Sequence, residues 1–198
     1  MTFAEKQEQY AKLLVKLGVN IQPEQELVVR CAAEAAPFAR LVAKEAYEAG
    51  AKEVIVHFRD EILTRLRYEN APMEVFEHVP AWEAESMNYY AARGAAFLSI
   101  VSDDPEAMKG VDHAKMAART VSADEAFRPY YARMDKNELQ WCVAAVPSPA
   151  WAKKVFPEKS EEDAVASLWK AIFQTVRVGE NAGEKWQEHG RALAERSR

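Results

Sequence analysis

Apolar residues in this chain fall into two patterns: short unbroken runs, and looser sets recurring every three or four positions. The runs at residues 27–32, 54–58, 95–101 and 141–146 are rich in β-branched and aromatic side chains and predict strands. The looser sets predict helices. Phe3, Tyr10, Leu14 and Leu17 share one stripe, with Gly18 suited to the position just past the helix end. A second helix opens at Pro37 and closes at Gly50. Asp60 suits the N-cap of a third, whose apolar face includes Ile62, Leu63 and Leu66. Pro72 and Pro80 punctuate a helical region carrying Val75, Phe76, Trp82, Met87 and Tyr90, which Gly94 closes. Residues 112–135 read as helix broken or kinked at Pro129. The cleanest periodicity is Val165, Leu168, Trp169, Ile172, Phe173 and Val176, behind a Ser160/Asp163 cap.

Strand, helix and strand between residues 27 and 58 make a βαβ unit, so those two strands should run parallel with a right-handed crossover. The whole pattern predicts an α/β fold of three layers: a mostly parallel sheet of four or five strands with helices on both faces. Residues 141–157 stand out as the organising stretch. A buried strand stops at Pro147, Ser148 takes an N-cap position, Pro149 opens a short helix, and Pro157 ends it. Such a strand end either faces a substrate or another domain, or it is a core strand with a packed connector. Residues 1–180 are expected to form one α/β domain. After Gly179 and Gly183 the chain turns polar, so residues 181–198 read as a surface helix or linker leading onward.

Composition narrows the function classes. At 198 residues with 49% hydrophobic and 29% charged positions, the chain can bury one sizeable core. A net charge of -5 leaves no basic stripe for nucleic acid. Neither a signal-peptide pattern nor a membrane-length apolar run occurs. Two cysteines, Cys31 and Cys142, both fall in predicted strands and suit a reducing cytoplasm better than a disulfide framework.

Candidate chemistry is thin. The first strand-to-helix turn, Ala32-Ala-Glu-Ala-Ala-Pro37, contains no glycine, which argues against a nucleotide cradle. His57, His78, His113 and His189 are scattered one per element and form no ligand-spaced pair. Asp103 and Asp104 make the best acidic pair, although Asp104 before Pro105 reads more simply as a turn residue; Glu34 occupies the equivalent place after the first strand. Ser99, Ser102 and Ser148 lack a histidine nearby in sequence, and Cys142 inside a strand suggests a packed thiol. On residues alone, no catalytic, cofactor-binding or metal-binding residue is assigned. A stand-alone small-molecule-binding or interaction domain, with Glu34, Asp103 and Ser148 near its site, stays open.

Several segments together resemble the N-terminal domain of the M29 family of metallo-aminopeptidases. They are residues 10–25 with 27–29, 46–51 with 54–56, 141–147 with Trp151 and Ala152, Phe156-Pro157, and 168–173. Their order and spacing, from about residue 3 to residue 190, carry the resemblance. It implies a cytoplasmic, homodimeric parent of about twice this length that releases N-terminal amino acids from small peptides. Two divalent ions, cobalt or zinc, would activate its attacking water. The resemblance places the metal ligands in a C-terminal domain beyond this chain. This half would then shape and gate the cavity, bind no metal itself and be inactive alone.

Overall fold

The computed structural model describes residues 1–197. In chain order the elements are α1 (Phe3–Leu13), β1 (Glu26–Ala32), α2 (Ala36–Glu48), β2 (Glu53–Arg59), α3 (Glu61–Asn70), α4 (Glu74–Glu77) and α5 (Ala81–Ala92). They continue with β3 (Ala96–Val101), α6 (His113–Ala126), α7 (Arg128–Asp135), β4 (Trp141–Ala145), α8 (Pro149–Val155), α9 (Glu161–Thr175) and α10 (Ala182–Arg196). Four strands pair in parallel in the order β2-β1-β3-β4. The expected α/β architecture is therefore the observed one, with four strands. Arg198 lies outside the described residues.

Alternation along each strand sorts side chains to two faces. Leu27, Val29, Cys31, Leu98, Ile100 and Ala144 point into the larger core, where α1, α2 and α9 supply Tyr10, Phe38, Val42, Leu168 and Phe173. On the opposite face Val28 and Phe97 meet Met87 and Ala91 of α5 and Tyr130 of α7. Helices thus flank both faces, but unequally.

The strand that looked like the organiser is an edge. β1 and β3 occupy the centre, while β4 leaves Trp141 48% and Val143 59% exposed, against the expectation of a buried strand. The error has a physical source: a run of apolar residues reports β-propensity, not the number of neighbours a strand will have. Its turn chemistry follows the sequence closely. Ser148 Oγ accepts the Trp151 N–H at 3.2 Å, and Pro149 is the first residue of α8. A second correction concerns α3, where Asp60 caps as expected (Leu63 N–H to Oδ1, 2.8 Å) but no residue of the helix is fully buried. Ile62, Leu63 and Leu66 are 66%, 65% and 47% exposed.

Gly18 is the third correction. The end of α1 widens into a π-type turn over Leu14–Gly18, and the left-handed position falls to Asn20 at φ 47°. Gly18 is small for another reason: a Cβ there would lie 2.9 Å from Cys142 Sγ. We expect Gly18→Ala to cost about 1–3 kcal/mol through overpacking. The double variant with Cys142→Ala should recover most of that in urea denaturation. Equal losses in single and double variants would refute the clash.

Candidate functional site

With strand order β2-β1-β3-β4, the connections leave the adjacent strands β1 and β3 toward opposite sides of the sheet. In open α/β sheets the crevice beyond the carboxyl ends of such a strand pair is the customary ligand position. Four short segments ring that edge here: residues 33–35 after β1, Asp60 after β2, residues 102–105 after β3, and residues 146–148 after β4.

Each residue singled out from sequence can be placed. Glu34 sits exposed in the tight turn between β1 and α2, whose first turn has no side-chain cap. Ser102 follows β3; it is 4% exposed, and among the described residues its Oγ has no hydrogen-bond partner. Asp103 is exposed. The Asp104 N–H donates to Glu61 Oε2 at 2.9 Å, and its Oδ1 accepts the Glu106 N–H at 2.9 Å, the behaviour of a turn residue. Asp103 and Asp104 join Arg59 and Glu61 around a recess of about 210 Å³. Ser148 is a helix cap rather than a free hydroxyl.

Two of the named residues lie elsewhere, on the sheet face shared with α5 and α7. Ser99 Oγ accepts from Arg30 Nη2 at 3.0 Å. His57 stands across the register from Arg30, half-buried, with a buried Nε2 that has no partner. Burial, then the nearby Arg30 charge, push its imidazole below the ordinary value of 6.5, so it is neutral at neutral pH. His78 and His113 are exposed on separate elements, and His189 packs against Trp186 in α10.

The thiols are the reverse of activated. Both cysteines are free, and burial pushes each above the ordinary 9.0. Among the described residues, no three His, Cys, Asp or Glu side chains gather closely enough to hold a metal ion. None of the hydroxyls named above is hydrogen-bonded to a histidine. The arrangement can therefore bind polar groups at the sheet edge and face, but these residues assemble no nucleophile–base pair. Arg30 is the residue that sequence reasoning passed over. Its signal was present: one charge inside the apolar run Leu27-Val-Val-Arg-Cys-Ala32, which becomes a central strand.

Comparison with known proteins gives a consistent result. The chain is 41% identical over 196 residues to aminopeptidase AmpS of Bacillus subtilis, covering 98% of this chain and 48% of that protein. It is 42% identical to aminopeptidase 2 of Geobacillus stearothermophilus over 188 residues, covering 94% of this chain and 46% of the relative. A solved structure, wild-type AmpT from Thermus thermophilus, superposes with a TM-score of 0.87 at 33% identity, covering 96% of this chain and 47% of that one. The chain thus spans about half the length of the relatives it matches. The sequence profile of the thermophilic metalloprotease (M29) family matches residues 3–198, and the chain belongs to that family.

Proposed function

We propose that this chain is the N-terminal, non-metal-binding half of an M29 aminopeptidase, which walls and gates the cavity in which N-terminal residues are cleaved from small peptides. The observation that carries the reading is the pairing of near-complete coverage of this chain with only about half coverage of its aminopeptidase relatives. The family's name implies a metal, and the lack of any group of three close His, Cys, Asp or Glu side chains among the described residues supports placing it in the other half. His57, His78 and His113 sit on β2, beyond α4 and at the start of α6, and among the described residues none of them belongs to a group of three possible ligands. The divalent ions, cobalt or zinc, would belong to the other half, and no step is derived through them.

An apolar patch supports the packing role. Ile62, Leu63 and Leu66 lie three and four residues apart on one side of α3 and are all exposed, and Phe58 at the end of β2 is 53% exposed. Scattered exposed apolar residues are ordinary, but a contiguous group is characteristic of an interaction surface.

Hydrolysis of a leucine chromogenic substrate tests the proposal, with cobalt or zinc added and a full-length relative as positive control. The 198-residue chain is expected to show no turnover alone, and turnover is expected when the metal-bearing half of the enzyme is co-expressed with it. Metal-dependent turnover by the chain alone, surviving repurification, would sink the assignment.

A further inference from the structure

The sheet carries an arginine at its centre. Arg30 of β1 stands level with His57 of β2 on one side and Ser99 of β3 on the other, and Val143 of β4 follows Ser99. Neighbouring strands lie about 4.8 Å apart, so these four positions form one row roughly 15 Å long across the face. The row before it, Ile55, Val28, Phe97 and Trp141, meets α5 and α7 through its first three members. Cover thins at the Arg30 row: His57, Arg30 and Ser99 are half-buried, and Val143 is 59% exposed.

A guanidinium partly withdrawn from water needs an anion to offset its desolvation. Among the described residues, Arg30 has no ion-pair partner. Its Nη2 donates to a neutral hydroxyl, Ser99 Oγ, which satisfies one of five N–H groups. Beside it His57 Nε2 is buried and unpartnered. Tyr130, 2% exposed, lies near enough for the Arg30 charge to act on its phenol. Among the described residues the other Arg30 N–H groups thus have no hydrogen-bond partner, His57 stands next to Arg30 in register, and an apolar shelf made by Val143 and Trp141 lies on the β4 side of the same face.

We propose that Arg30, Ser99 and His57 bind a single carboxylate, the C-terminal carboxylate of a short peptide whose last side chain rests on Val143 and Trp141. Arg30 stands between neutral Ser99 and His57, with Arg59 two residues further along β2 on the same face, and its planar guanidinium fork fits a carboxylate in two parallel bonds. The choice of a peptide as bearer of the carboxylate rests on the aminopeptidase reading; the anion site does not.

The test is binding of Gly-Leu, its C-terminal amide and acetate to the 198-residue chain, followed by nitrogen-15 resonances of the Arg30 side chain and the Ser99 amide. Gly-Leu should shift both saturably, with the amide at least about tenfold weaker, the worth of one lost charge-assisted bond. Arg30→Met should weaken Gly-Leu by a similar factor, and Ser99→Ala by a few-fold. If Arg30→Met fails to fold, Ser99→Ala and the acid–amide comparison decide. Equal binding of acid and amide, unchanged binding in both variants, or no saturable shift overturns the site. Acetate binding as tightly as Gly-Leu overturns the peptide as bearer. No arm depends on metal or turnover, so failure here is separable from failure of the aminopeptidase reading.

Discussion

Replacing Tyr10 by alanine is expected to cost about 3–5 kcal/mol, a large share of the stability of a domain this size. Tyr10 is 1% exposed, with its ring 5.1 Å from Phe38 and 6.2 Å from Phe173, between α2 and α9. Its hydroxyl does a second job. It accepts the Ala145 N–H at 3.1 Å and donates to the Ala145 carbonyl at 3.2 Å, so one side chain satisfies both backbone groups of a residue on the edge strand β4. Tyr10→Phe keeps the ring and removes that link, and should cost about 1–3 kcal/mol because the Ala145 groups lose their partner. Urea denaturation of the two variants separates packing from hydrogen bonding. Equal losses would show that the hydroxyl contributes nothing.

The same residue gives the protein an alkaline limit. Burial pushes the Tyr10 phenol from its ordinary 10.0 to about 12. Because the folded value lies above the unfolded one, the neutral phenol's contribution is whole below about pH 10 and is lost as pH rises to about 12. A shift of that size is worth roughly 2–3 kcal/mol. Tyr10→Phe should flatten this part of the stability–pH curve, and an unchanged slope would assign it to other groups.

Phe76→Ala should have a comparable effect, about 3–5 kcal/mol in the same denaturation measurement. Phe76 lies in the four-residue helix α4, too short to persist on its own local bonds. The ring is fully buried, stacks on Tyr68 at 4.7 Å, and lies 5.2 Å from the Arg67 guanidinium carbon and 5.6 Å from Lys115 Nζ. Its carbonyl accepts from Ser122 Oγ of α6 at 2.8 Å. Removing the ring therefore loosens α3, α4 and α6 together. A loss below about 1 kcal/mol would mean the surrounding helices close over the gap, because the cost of truncation depends on how far a site can collapse.

Much of the fold was legible because its signals are local. Asp60, Ser148 and Ser160 cap helices as their sequence positions indicate, and Gly50 and Gly94 take φ of 94° and 76° just past helix ends. What escaped depends on which elements become neighbours. Trp141 and Val143 resemble core residues until β4 proves to be an edge. Ile62, Leu63 and Leu66 form a stripe, but among the described residues no element covers it. Gly18 looks like a helix stop, and its real constraint, the Cys142 sulfur, lies 124 positions away in sequence. At the carboxyl edge, Asp104 and Ser148 had their turn and cap roles in local spacing. The row of His57, Arg30 and Ser99 joins three strands, and locally only the single charge of Arg30 within an apolar run marked it.

The attachment of α10 bears on how the molecule responds to stress. No residue of this helix is buried, and it is held where the Trp186 indole donates to the Val176 carbonyl at 2.9 Å and receives the Arg177 guanidinium over its face. A helix with no buried residue, anchored near its start by an indole, is expected to open at a lower free energy than the sheet. The protein accordingly has two breaking strengths: a low one at the Trp186 latch and a high one in the core around Tyr10. Force, protease or a competing surface meets the lower one first.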